Sequence, residues 1–267
     1  MKSICRSFLY ILIIASFITA CNKKELAIPP TAVVKMTFKG YSFNDTLEVV
    51  KNNVVLATLR ANSSFEVITL IAIKDAKEEI GLRKKGSTEI INTINVHPTP
   101  FEQTKKIFFD GKTVQDNIAV TPVSKPENIG FRLCFKTNFP YFYGGPVDFI
   151  IFEQTVDNNT YEYTNKKVLE VKNVSATFSD FVELPHISST DQVIKTYIFK
   201  VFKAGTTELP YKEGVDLSAI ADFEFYYGII DQLKPGQSGL LRVSPYYYSD
   251  KMLGEGFEVE DIATPFR

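Results

Sequence analysis

Chemistry in a chain of this kind needs a nucleophile, an acid–base pair, a metal cage or a recognition surface, and the 267 residues offer few candidates for each. The two histidines are His97, before Pro98, and His186, after Pro185. A histidine metal site needs ligands spaced along one element, such as two His one helical turn apart, and these two lie far apart in proline-marked connections. Gly236-Gln237-Ser238-Gly239 lacks the spacing of a nucleophile elbow. Gly144-Gly145 runs into Pro146 and reads as a turn rather than a phosphate cradle. Two oxygen-rich groups, one of Glu255, Glu258, Glu260 and Asp261 and one of Asp157-Asn158-Asn159, lack the alternation and bend of a calcium loop and read as solvated surface. The expectation is a protein with no catalytic residue, no metal and no cofactor, hence not an enzyme. A carboxylate pair assembled across the fold, as in glycosidases, is the arrangement that spacing along a chain does not reveal.

The thiols say more. Cys21 closes a segment that starts with Lys2 and Arg6 and continues through Phe8-Leu9-Tyr10-Ile11-Leu12-Ile13-Ile14-Ala15, extended by Phe17 and Ile18. That apolar run suits a signal-peptide core and is shorter than the ~20 residues a spanning helix needs. It ends in Ile18-Thr19-Ala20-Cys21, an aliphatic and two small residues before a cysteine, which resembles the bacterial lipobox. The resemblance implies a signal peptide over 1–20, cleavage before Cys21 and diacylation of its thiol. The acyl chains would add ~0.8 kcal/mol per buried CH₂ to membrane anchoring. Residues 21–31 then form a lipidated tether, stiffened by Pro29-Pro30 and reaching at most ~30 Å at ~3.3 Å per residue. Cys5 leaves with the leader and Cys21 carries lipid, so Cys134 alone remains and no internal disulfide is expected. In Gly130–Lys136 the alternation sets Cys134 with Arg132 and Lys136, opposite Phe131, Leu133 and Phe135. It reads as a half-covered strand residue.

Loss of Lys2 and Arg6 moves the formal charge from −1 to −3, and without a basic surplus nucleic acid is not an expected partner. Hydrophobic content of 45% with 23% charged residues is that of a folded chain, long enough for two domains with cores of their own.

These residues must be positioned by strands. Val33–Phe38, Thr46–Val50, Val54–Leu59, Phe65–Ile73, Ile80–Arg83, Glu89–Val96 and Lys106–Phe109 alternate or run apolar in short stretches. Lys51-Asn52-Asn53 is a hairpin signal because Asn tolerates positive φ, and Asp110-Gly111 is the clearest one. The unbroken apolar run Phe65–Ile73 suggests a strand covered on both faces. Residues 115–128 hold Pro122 and Pro126 and few large apolar side chains, which places a domain boundary near Pro122. Strands resume at Ile129–Thr137, Val147–Phe152, Lys167–Val174, Ala176–Leu184, Lys195–Phe202, Phe223–Ile230, Leu240–Val243 and Phe257–Ile262. Asp216–Ala221 reads as a helical turn capped by Asp216. No period of 20–50 residues appears. The predicted fold is all-β: two tandem Ig-like or transthyretin-like antiparallel β-sandwiches, over 32–121 and 122–267.

Composition holds one oddity, 22 Phe and 13 Tyr with no Trp. Most belong in cores. Two clusters fall where loops are expected: Tyr141 and Tyr143 in Phe139–Pro146, and Tyr246, Tyr247 and Tyr248 after Pro245. Such tyrosines offer an apolar face with a polar tip for gripping a sugar or a protein, or they plug the end of a sandwich. Lipobox, tether and disulfide-free sandwiches together resemble the outer-membrane lipoproteins of Bacteroidota. That resemblance implies an anchored cell-envelope protein that binds a glycan or another envelope protein. Its alternative is a pilus-like or adhesin subunit assembling by β-strand addition.

Overall fold

The structure, a computed structural model, describes residues 32–220 and 222–267. The leader, Cys21 and the tether lie outside the described residues. What is described is all-β: sixteen strands in four four-stranded sheets, forming two sandwiches.

The first sandwich contains β1 (Ala32–Ser42), β2 (Leu47–Lys51), β3 (Val54–Leu59), β4 (Ser64–Ile73), β5 (Glu78–Lys84), β6 (Ile90–Val96), β7 (Glu102–Phe109) and β8 (Val114–Gln115). One sheet has the order β4-β1-β7-β8 and the other β3-β2-β5-β6. The second contains β9 (Asn128–Phe135), β10 (Val147–Asp157), β11 (Tyr163–Val174), β12 (Val182–Pro185), β13 (Val193–Lys203), β14 (Gly228–Ile230), β15 (Ser238–Tyr247) and β16 (Leu253–Asp261). Its sheets run β12-β9-β15-β16 and β11-β10-β13-β14. Adding eight to each strand label of the first sandwich gives the second. The chain is a topological duplication, on a period far longer than a solenoid repeat. Each copy also holds one parallel pair, β1 with β7 and β9 with β15, where an antiparallel sandwich was expected.

Local chemistry explains the turns. Asn52 and Asn53 have φ of 50° and 66° and close the β2–β3 hairpin, the left-handed pair that a two-residue hairpin requires. At the β7–β8 turn the Asp110 carboxylate accepts the backbone N–H of Lys112 and of Thr113, each at 2.7 Å, and the Thr113 hydroxyl at 2.9 Å. Other segments depart from the expectation. Phe223–Phe225 is a 3-10 turn capped by Asp222, and only Gly228–Ile230 is strand. Asp216 bridges to Met252 and its carboxylate accepts the Ser218 N–H; it caps a turn, not a helix. Residues 175–181 leave the sheet before the short β12.

Alternation fills each core. Phe38, Leu47, Leu59 and Phe109 lie in the first, and Phe131, Phe149, Phe199 and Leu241 in the second, all fully buried. Each such side chain contributes about 1.5–3 kcal/mol through apolar burial. A third cluster joins the sandwiches: Tyr41, Phe43 and Phe108 pack with Ile118 of the connection and with Cys134, Leu240 and Ile262. Cys134 is therefore fully buried rather than half-covered, because the outer face of β9 and β15 is roofed by the first sandwich. The connection is pinned at its far end by Glu183. Its carboxylate accepts from the Ser124 N–H and hydroxyl, the Lys125 N–H and the Asn128 amide.

Candidate functional site: a cleft between the sandwiches

The cleft follows from one stretch of register. On β15 and β16, Arg242 stands opposite Glu260 and Ser244 opposite Glu258. With a side-chain period of two, all four share one sheet face, while Leu241 and Val243 point into the second core. That shared face looks toward the first sandwich. The Arg242 guanidinium, itself buried, donates from Nε to Glu260 at 3.0 Å, from one terminal nitrogen to Glu258 at 3.1 Å and from the other to the Ser244 hydroxyl at 3.4 Å. The Ser244 hydroxyl in turn donates to Glu258 at 3.2 Å. The second oxygen of Glu260 accepts the Ser64 N–H at 2.8 Å, tying β4 to β16 across the seam.

Around this floor opens a cleft of about 310 Å³. Asn62 and Ser63 line it from the first sandwich; Lys136, Thr137 and Asn138 line it from the end of β9. Asn62 is fixed in a left-handed conformation, φ 54°, with its side-chain oxygen accepting the Asn44 N–H at 3.0 Å. Lys136 donates to the Asn44 side-chain oxygen and lies 4.6 Å from the centre of the Phe43 ring, a cation–π contact. Burial, above all, holds its ammonium below the ordinary lysine range.

Tyr246 and Tyr247 form the wall, 51% and 43% exposed. Both belong to the end of β15, not to a loop as expected. The register slips between Pro245 and Tyr247; such a bulge re-aims side chains, and here two consecutive tyrosines line one cleft. The buried Phe139 ring supports Tyr247 from behind at 5.3 Å and also meets Tyr141 at 6.2 Å. The two aromatic segments thus converge through Phe139. Tyr141 is half-buried beside Lys251. Tyr143 does not join them: it is half-buried against Phe142 and donates its hydroxyl to the Pro146 carbonyl. Tyr248 is exposed at the turn outside the cleft. Cys21 lies outside the described residues.

Of the acidic group read as solvated surface, Glu255 and Glu258 are exposed as expected, whereas Glu260 is half-buried and Asp261 is buried. Glu258 and Glu260 are committed to Arg242, and the buried Asp261 accepts the Leu240 and Ala263 N–H groups and pairs with Arg267. At Asp157 one carboxylate oxygen accepts the N–H groups of Asn159 and Thr160, closing its own turn. Among the described residues no group of three His, Cys, Asp or Glu side chains is placed to hold a metal. The residues that sequence reading missed are Arg242, Glu258 and Glu260 acting as a unit. Their signal was present: opposite charges at spacing two on successive strands.

No family model matches the chain, and no curated protein matches it. Among solved structures it is similar to the Bacillus anthracis TIE protein at 10% identity and TM-score 0.22, over 80% of this chain and 34% of that one, so it spans about a third of that protein. A family 26 carbohydrate-binding module from Eubacterium rectale, solved with maltoheptaose, is similar at 9% identity and TM-score 0.20, over 86% and 96% of the two chains. Family 41 modules from streptococcal virulence factors, described as recognising α-glucan, are similar at 10% identity and TM-score 0.19, over 84% and 97%. Likenesses of this size settle neither fold nor ligand.

Proposed function

We propose that this protein is a non-catalytic, lipid-anchored outer-membrane protein that binds a neutral glycan in the cleft between its sandwiches. The observation that carries the reading is the pairing of two exposed tyrosine rings with a polar, charge-balanced floor. Lys136 and Arg242 face Glu258 and Glu260, two cations against two anions, so the cleft does not favour a charged ligand. Carboxylates accept, amides and hydroxyls do both, and together they match a ligand that is mostly hydroxyl. The ring faces of Tyr246 and Tyr247 suit the apolar face of a sugar ring. Anchoring rests on the lipobox resemblance at Ile18–Cys21; among the described residues no helix is long and apolar enough to cross a membrane.

The test is a panel of neutral oligosaccharides against the wild type and Tyr247→Ala. One or more sugars should bind, and the variant should weaken binding by about 1–3 kcal/mol, the scale of an aromatic hot spot. Sugar binding indifferent to Tyr246→Ala and Tyr247→Ala would remove the cleft as the site. For the anchor, metabolic labelling with a fatty acid should mark the wild type and not Cys21→Ser.

A further inference from the structure

Four sheets present eight edge strands among the described residues, and natural proteins blunt such edges by shortness, charge, proline or bulges. Seven are blunted here. β8, β12 and β14 have two, four and three residues, and β12 ends in Pro185. β11 carries Lys166, Lys167 and Lys172, and β16 carries Glu255, Glu258 and Glu260. β3 and β6 meet their neighbours through a register shift. β4 has none of these. It pairs with β1 over ten consecutive residues without a shift, holds one charge and no proline, and leaves Ile68 and Leu70 56% and 64% exposed beside Val33 at 45%. The run expected to be covered on both faces is covered on one.

The hydrogen-bonding direction of β4 can be read off. The Lys35 N–H bonds toward β7, to the Phe101 carbonyl, so the even residues of β1 bond toward β4 and meet its odd residues. The even residues of β4 therefore aim their backbone outward. The two ends of that row are occupied: the Ser64 N–H donates to Glu260, and the Ala72 carbonyl accepts from Lys51 at 2.7 Å. Between them Glu66, Ile68 and Leu70 present three donors and three acceptors with no partner among the described residues. The row is symmetric about Ile68.

We infer that β4 is a self-association strand, pairing antiparallel with β4 of a second copy of this chain about a two-fold axis at Ile68. Ile68 then faces its own copy, and Glu66 faces Leu70 in both directions. All six open groups are satisfied, and Glu66 keeps its cross-strand neighbour Lys39. A second copy fits better than an unrelated peptide, because an isologous contact consumes both open edges at once. The joined eight-stranded sheet would end on the two-residue β8 at each side, whereas an added peptide would leave a new open edge. The second sandwich provides an internal contrast: its equivalent strand, β12, is four residues long and ends in proline. This inference does not rest on the cleft.

Facing residues in such a pair have Cα atoms about 5.5 Å apart, within disulfide reach. Full-length Ile68→Cys in detergent, oxidised, should run at twice the monomer mass on a non-reducing gel and return to monomer with reductant. Val33→Cys and the wild type should not, since two copies of β1 would stand three strand spacings, about 14 Å, apart. By light scattering the wild type should have twice the protein mass of Ile68→Lys, which sets two lysines face to face at an exposed position while keeping the β-rich circular dichroism spectrum of the wild type. A folded Ile68→Cys that stays monomeric, cross-linking of Val33→Cys to the same extent, or a dimer undisturbed by Ile68→Lys each overturns the inference.

Discussion

Three side chains at the seam set local behaviour. The Tyr41 hydroxyl is fully buried with no hydrogen-bond partner within the described protein, and burial, chiefly, drives its pKa up. Removing a polar group that bonds nothing relieves its desolvation penalty. Tyr41→Phe is therefore expected to leave stability unchanged or raise it by up to about 1 kcal/mol, and a clear fall in a denaturant titration would show that the hydroxyl is satisfied in solution. Burial also pushes the Cys134 thiol up to about 12. Because the thiolate is the reactive form, peptide mapping after thiol labelling should find Cys134 modified only in denaturant. Arg242 is the opposite case, a buried cation with two carboxylates that are 48% and 21% exposed. Arg242→Gln strands both acids and should lower stability by about 1–3 kcal/mol, less than for a fully buried pair because water still reaches Glu258.

At the scale of elements, the tyrosine segments divide. Tyr247 rests on Phe139 with its outer face open, so Tyr247→Ala should change stability by less than about 1 kcal/mol. Tyr143 packs on Phe142 and is tied to Pro146, so Tyr143→Ala should cost about 1–3 kcal/mol without touching ligand affinity. Thermal melts of the two variants separate wall from plug; equal melts would refute the division. The connection between sandwiches carries a pH signature. Backbone and side-chain donors of Ser124, Asn128 and Lys125 hold the Glu183 carboxyl down to about 2 from its ordinary 4.5. A depressed acid contributes stability that is whole above its ordinary value and lost as pH falls from about 4.5 toward 2. Stability measured down that window should fall less steeply in Glu183→Gln than in the wild type.

Over the whole molecule, the two sandwiches share an apolar cluster: Phe43 and Phe108 meet at 5.9 Å, and Phe43 meets Phe178 of the second sandwich at 6.3 Å. Coupled domains unfold together while their interface holds. The wild type should give one calorimetric transition. Phe43→Ala, which removes the ring at the centre of the seam, should lower stability by about 3 kcal/mol and split the transition in two. A wild type that already melts in two steps would mean that the cluster does not couple them.

The all-β class was legible from residues alone, since period-two alternation and turn chemistry at Asn52-Asn53 and Asp110-Gly111 are local signals that act within a few residues. So was the grouping of Phe131, Leu133 and Phe135 on one strand face, the face that fills the second core. Tertiary structure decided what lies on the outer face of each sheet, which alternation cannot encode. The same pattern buries Cys134 and Arg242, because another sandwich docks there, and leaves Ile68 and Leu70 bare, because nothing described does. The duplication was hidden because it repeats strand order rather than residues. The cleft was half legible: Tyr246 and Tyr247 stood out by composition, while Arg242, Glu258 and Glu260 became a floor only when the β15–β16 register set them face to face and Asn62 and Ser63 arrived from the other sandwich.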